Sequence, residues 1–412
     1  MSGDRISRHR RRAAQRASPA VHQFRRVHVL AALAVIAALT GATCSCGGKR
    51  PGPPRPYMAF VASEASGTLA VVNLASFQVT DSIPVAPTPI EVTARPGARE
   101  LYVLSRSGVI TIIPFPELRP AATLRVGSRA GHLVFTSGGK LAAAADNAVR
   151  EIVLIDCASR SIAGRIKMNG QISALSFTPN GETLVAADSE NNRLIFIDAA
   201  NKNLLGSVQV GKQPGSLVML PDGSKLFVAD TGEPMISTVD IGSRQVLSNI
   251  ELGSVPDDLV LKPDGGELFA LSRHAATISI LDTFHDDVET EMPAAKCPVA
   301  AVPTRDSTQL YVASAAGAPA CGQDGGTVEQ IDVQNRKVLA STFAGTSLSA
   351  MALTPDERFL VVTDSAGSSV AVLETSPLST KAKVPSVPLP LVTTVSVGAQ
   401  PVSVAIPDWL SR

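Results

Sequence analysis

Six acids close short apolar runs at a regular spacing: Asp156, Asp198, Asp240 and Asp282 at steps of 42, Asp332 after 50 more, and Glu374 after another 42. Carboxylates recurring in this way could ring a metal ion, which takes oxygen ligands readily. The competing chemistry is local. An Asp at a strand end can accept hydrogen bonds from amides two and three residues on, forming an Asx turn. One copy per structural unit also keeps the acids too far apart to share an ion, so the turn is the expectation.

A second set of polar residues is irregular: His132, Glu233, the pair Asp257-Asp258, and Arg273 beside His274. Histidines and carboxylates are the common general acids and bases, so a hydrolase could be assembled from them. Their spacing matches no metal motif, and isolated loop histidines are ordinarily solvated. His285-Asp286-Asp287, with Glu289 and Glu291, reads as a charged turn. The chain has no Cys-x-x-Cys-His for covalent haem, no nucleophile elbow, no phosphate loop and no dinucleotide fingerprint. No catalytic residue, cofactor or metal ligand is therefore assigned.

The elements that must position these residues follow a beat. Pro179-Asn180-Gly181, Pro221-Asp222-Gly223 and Pro263-Asp264-Gly265 stand 42 residues apart. The beat extends upstream to Ser137-Gly138-Gly139 and Pro96-Gly97, and downstream to Arg305-Asp306-Ser307 and Pro355-Asp356-Glu357. A period of about 40–45 residues signals a repeat architecture. Pro presets φ for a type I turn, Asp suits the next place, and Gly tolerates the positive φ of a following bulge.

Between turns lie runs such as KLFVAD, ISTVDI, QVLSNIEL and DDLVLK. Each is rich in β-branched or aromatic residues and bounded by turn formers, which predicts strands. Four antiparallel strands per unit without a helix is a β-propeller blade. Runs equivalent to DDLVLK and to KLFVAD each occur eight times, which predicts eight blades; a seven-bladed ring is the alternative. The ring at 57–408 opens on a second strand (57–63) and ends on a first strand (401–406). One mixed blade of three N-terminal strands plus 401–406 would close it and protect the sheet edges.

LYVLSRS (101–107), LFVADTG (226–232), LFALSRH (268–274) and LYVASAA (310–316) resemble the YVTN family of bacterial propeller repeats. So do elements of the form V/I-G-x-x-P, such as Val210-Gly211-Lys212-Gln213-Pro214 and Val397-Gly398-Ala399-Gln400-Pro401. The resemblance implies a propeller associated with the cell envelope and assigns no activity. The Trp-Asp signature of another propeller class is missing, and the single Trp is Trp409.

The first 50 residues hold ten Lys or Arg and one acid, Asp4, followed within them by the apolar stretch VLAALAVIAALTGA (29–42). That stretch is short for a membrane span, which needs about 20 residues. It fits a secretory signal within 1–46, with Cys44 and Cys46 as lipidation candidates. GGKRPGPPRP (47–56) reads as a semi-stiff tether. The whole chain carries 37 basic and 36 acidic residues, so 27 and 35 remain beyond residue 50. An acidic ring without basic clusters excludes nucleic acid as a partner. The membrane enters only through the N-terminal anchor.

Cys297 lies in a loop leading into a first strand, and Cys321 in a loop between second and third strands of the same blade. Both loops reach one rim, and an exported protein favours disulfides, so a 297–321 bridge is expected; Cys157 is left buried. That rim also carries Asp257, Asp258, Arg273 and His274 and the enlarged loop 314–326, and is the expected partner surface. The functional expectation is a monomeric, exported, non-catalytic ring that binds a protein, peptide or glycan. The alternative is a hydrolase, since a propeller family of sugar lactonases resembles the YVTN repeats. Acids or histidines converging on the central channel mouth would favour that alternative.

Overall fold

The computed structural model describes residues 57–316, 325–375 and 389–411. Thirty-two strands form eight four-stranded antiparallel sheets. Seven blades are sequential; blade 4, for example, runs Ile172–Phe177, Thr183–Asp188, Arg193–Asp198 and Leu204–Gln209. Blade 1 is mixed. Met58–Ser63, Thr68–Asn73 and Gln78–Pro84 join Pro401–Ala405, with Val61 opposite Val404. The first strands touch one another in a single closed circuit, blade 8 against blade 1 and blade 1 against blade 2. Both the eight-blade count and the mixed closure agree with the sequence reading.

Second and third strands are buried along nearly their whole length, as in Leu226–Ala229 and Leu194–Ile197. A neighbouring blade covers each face, so these strands read as continuous apolar runs. Eight apolar clusters result, one at each junction between blades. Phe227 and Ile236 of blade 5 meet Leu259 and Leu268 of blade 6, and Val61 and Val72 of blade 1 meet Val361 and Val370 of blade 8. Fourth strands have one neighbour and alternate toward solvent, as in Gln245–Glu251. Ion pairs tie blades at the outer turns: Arg160 to Glu100 at 2.6 Å, Lys225 to Asp286 at 2.6 Å and Arg336 to Glu267 at 2.6 Å.

Two glycine positions carry the repeat. In the turn after each first strand, Gly181, Gly223 and Gly265 have φ of 73°, 74° and 80°, the region that favours Gly. The glycine at the place of that in V/I-G-x-x-P, kept in units that lack the Pro, has a different role. It lies against the acid that ends the second strand, and a Cβ there would come within 2.1 Å of Asp146 at Gly127 and 2.5 Å of Asp364 at Gly345. The missing side chain lets the carboxylate reach the loop that leads into the first strand.

Five of the six spaced acids are used in turns. Asp156 Oδ1 accepts the amides of Ala158 and Ser159, each at 2.9 Å, and Asp198 and Asp282 make the same pair of bonds. Asp240 and Asp332 each accept the amide three residues on. Glu374 differs, facing Arg358 at 3.6 Å. The amides hold Asp156, Asp198 and Asp282 below the usual carboxylate range; at Asp240 the Ser243 hydroxyl is the larger cause.

Candidate functional site

In seven blades the ladder between first and second strands slips just after the first strand begins, as between Pro89 and Glu91 or Pro298 and Ala300. A bulge here re-aims side chains. The residue two places after the lead-in proline sits at this slip: Glu91, Ser216, Ala300 and Ser403. Asp258 holds the same place two after Pro256, in the one blade whose ladder does not slip, and His132 and Ala174 hold it in units that lack the proline.

Five of these residues converge. Glu91, His132, Ala174, Ser216 and Asp258, from the first strands of blades 2 to 6, line one cavity of about 450 Å³ together with Asp257. It lies at the mouth of the central channel, on the face where the first strands begin. The volume is that of a small-ligand pocket. Three carboxylates face the cavity, and no Lys or Arg is among its lining residues.

The polar groups are partly fixed. Thr93 donates to Glu91 Oε1 at 2.9 Å, and the Leu133 amide of the next blade to Glu91 Oε2 at 3.2 Å. Ser216 donates across the blade junction to Asp258 Oδ1 at 2.7 Å, and the Leu259 amide reaches the same oxygen at 2.9 Å. Burial pushes the Glu91 and Asp258 carboxyls above their ordinary values, and these hydrogen bonds oppose the shift only in part. His132 opens onto the cavity, yet the surrounding protein lowers its pKa, against a hydrogen bond to the Ser173 backbone and the charge of Asp258. The result is an acidic pocket in which burial raises the pKa of two half-buried carboxyls and lowers that of the imidazole that shares the cavity.

The structure divides the rim expected from sequence. Asp258 faces the channel, while Asp257 also accepts the Arg273 amide at 2.6 Å. His274 is exposed and outside the cavity lining. Cys297 is 2% exposed and held in a disulfide. Its expected partner Cys321 lies outside the described residues, as do Cys44 and Cys46. Cys157 is a buried free thiol. Glu91 and Ser216 were not singled out by sequence reasoning. The signal was available, because Glu91, His132, Ala174, Ser216, Asp258 and Ala300 follow one another at steps of 41 or 42. Among the described residues no three His, Cys, Asp or Glu side chains group as a metal site.

The fold and its channel mouth define an eight-bladed β-propeller. Among solved structures, the dihydro-heme d1 dehydrogenase NirN in complex with DHE is similar, with a TM-score of 0.71 and 16% identity over 86% of this chain and 78% of that one. The hydrazine synthase of Kuenenia stuttgartiensis is similar at a TM-score of 0.53 and 19% identity, over 66% of this chain and 88% of that one. At such identities the likeness concerns the fold alone. No protein-family model and no curated protein matches the chain.

Proposed function

We propose that this propeller is a binding ring whose channel mouth takes a cationic group, an ammonium or guanidinium presented by a basic peptide or protein segment. One observation carries the reading: the 450 Å³ cavity gathers Glu91, Asp257 and Asp258 without a lysine or arginine in its lining. Carboxylates partly withdrawn from water, with no Lys or Arg in the cavity lining, gain from a ligand that supplies a counter-charge. Ser216 and His132 add hydrogen-bonding groups that orient the guest.

The YVTN-like repeats and the basic, apolar N-terminal segment support an envelope setting, with export directed by 1–46 and tethering through Cys44 or Cys46. The lactonase alternative draws on the same convergence of Glu91, His132, Asp257 and Asp258 at the mouth, the feature expected to favour it, but among the described residues no three of these side chains group as a metal site. The likeness to a haem d1 dehydrogenase makes a tetrapyrrole the competing ligand, with His132 the residue it would meet.

Calorimetric titration of the purified protein with a short Lys/Arg peptide, with chito-oligosaccharide and with haemin separates these readings. The basic peptide should bind and weaken with salt. Glu91→Gln and Asp258→Asn should each lower its affinity about tenfold, equivalent to about 1.4 kcal/mol. Binding that is indifferent to both changes but lost in Arg273→Ala or His274→Ala would move the site to the outer rim.

A further inference from the structure

Four blades end their second strand with an Asp: Asp146, Asp188, Asp230 and Asp364. In blades 3 and 8 this acid clamps the loop leading to the channel. Asp146 accepts the Ser128 and Arg129 amides at 3.1 Å each, and Asp364 accepts the Thr346 and Ser347 amides at 3.0 and 2.8 Å. Blade 5 has the same strand end, the same lead-in glycine and the same approach, with a Cβ on Gly211 reaching 2.4 Å from Asp230. The amides nevertheless go elsewhere. Lys212 N donates to Glu233 Oε1 at 2.8 Å, and Gln213 N to Asn192 Oδ1 at 2.9 Å.

Asp230 is left fully buried, with one hydroxyl, Ser237 Oγ, donating to Oδ2 at 2.8 Å and with Oδ1 unpartnered. That hydroxyl is shared, since it lies 3.2 Å from Asn249 Oδ1 and accepts the Gly211 amide at 3.1 Å. The charged groups nearby offer no relief. Glu233 in the adjoining loop is a second negative charge, Lys212 is engaged with Glu233 at 3.3 Å, and Glu251 on the fourth strand is exposed opposite Met235. A buried carboxylate so placed favours its neutral form.

We propose that Asp230 is a pH-sensitive latch: neutral, it leaves the Lys212 and Gln213 amides on Glu233 and Asn192; ionised, it draws them to itself, as Asp146 and Asp364 do. The loop concerned, 210–214, runs directly into Gly215 and Ser216 of the channel mouth, so the latch sets the position of one wall of that cavity. The link to ligand binding rests on the channel-mouth reading above; the latch itself does not.

Desolvation, the largest cause, raises the Asp230 pKa from 3.8 to about 7, with Glu233 adding to the rise. A carboxyl with a raised folded pKa binds more protons folded than unfolded. Its contribution to stability is full below about pH 4 and is lost as pH rises through about 7. Thermal melts of wild type and Asp230→Asn from pH 4 to 8.5 test this. The amide mimics the neutral acid, so the variant should melt with wild type near pH 4 and about 3 °C or more above it at pH 8.5. Glu233→Gln removes the second charge and should move the wild-type transition to lower pH, which keeps the test available if Asp230→Asn fails to fold. Parallel curves for wild type and Asp230→Asn, or for Glu233→Gln an unmoved transition, overturn the latch. Diverging melts with identical pH profiles of peptide affinity in wild type and Asp230→Asn would overturn its coupling to the mouth alone.

Discussion

The two ends of the first strands depart from the repeat in opposite ways. At the channel mouth the equivalent position holds Glu91, His132, Ser216, Asp258 and Ser403 in five blades and Ala174, Ala300 and Ala350 in the other three. At the far end the turn holds Gly97, Gly139, Gly181, Gly223 and Gly265, then Ser307 and Glu357, all with positive φ. Backbone geometry constrains the turn, and its exceptions adopt the glycine conformation at a cost. The ladder slip at the mouth does not dictate a residue type, and five of these residues line the cavity of about 450 Å³. In a repeat protein, residues that recur are explained by the unit. Those that do not recur, yet converge in space, are where binding is to be sought.

If recurring residues serve the unit, removing one should cost stability and leave the mouth unchanged. The largest effect is expected at Asp364, 5% exposed, which accepts two amides of the lead-in loop and packs against Gly345 and Gly367. Asp364→Ala should lower unfolding free energy by about 2–3 kcal/mol, the loss of hydrogen bonds to a charged acceptor. Chemical denaturation measures it. A change within about 0.5 kcal/mol, or a large loss of peptide affinity with unchanged stability, would break the division between unit and site.

The two classes of acid should also answer pH with opposite signs. Glu91 and Asp258 are raised by burial, so their contribution is present below their ordinary pKa and lost as pH rises through the raised one. Glu91→Gln and Asp258→Asn should therefore fall less in stability than wild type between pH 4 and 7. The gain should stay below about 1 kcal/mol, because the cavity admits solvent screening. Asp156 is lowered by its turn amides, so its contribution is present above the ordinary value and lost as pH falls through the lowered one. Asp156→Asn should be less stable than wild type at pH 7 and converge with it as pH falls below the ordinary carboxylate range. Melts at three pH values for the three variants suffice, and a common sign for all of them would remove the contrast.

The sequence revealed the unit more readily than the site for a physical reason. Pro-Asp-Gly turns, V/I-G-x-x-P lead-ins and strand-end acids are local, each legible within about ten residues, and they repeat. That is why the eight blades and the closure by 401–406 could be read. The role of the lead-in glycine was not legible, since Gly127 meets Asp146 only after the strands pair. Glu91 and Asp258 lie 167 positions apart and share one cavity because the ring closes. Asp257 and Asp258 read as one acidic pair, but the strand begins only at Asp258, so Asp257 in the lead-in bend accepts the Arg273 amide while Asp258 accepts from Ser216.

The smallest effect tests the other end. Ser307 closes its turn with φ of 62°, and its amide donates to Thr304 at 2.9 Å, the bond that Gly265 makes to Lys262 at 2.8 Å. A residue with a Cβ gives up about 1 kcal/mol or more in this region, while glycine adds unfolded-state entropy of about 0.5–1 kcal/mol. Ser307→Gly also gives up the approach of its hydroxyl to Asp264. The balance should be a gain of a few tenths of a kcal/mol, seen as a rise of about 1 °C or less in Tm, with peptide affinity unchanged. Restoring the consensus at the turn should thus be harmless, whereas Asp258→Ala, which gives the mouth the residue of blades 4, 7 and 8, should weaken the peptide at least tenfold. If Ser307→Gly proves the more damaging to binding, the irregular turn, and not the irregular mouth, marks the functional face.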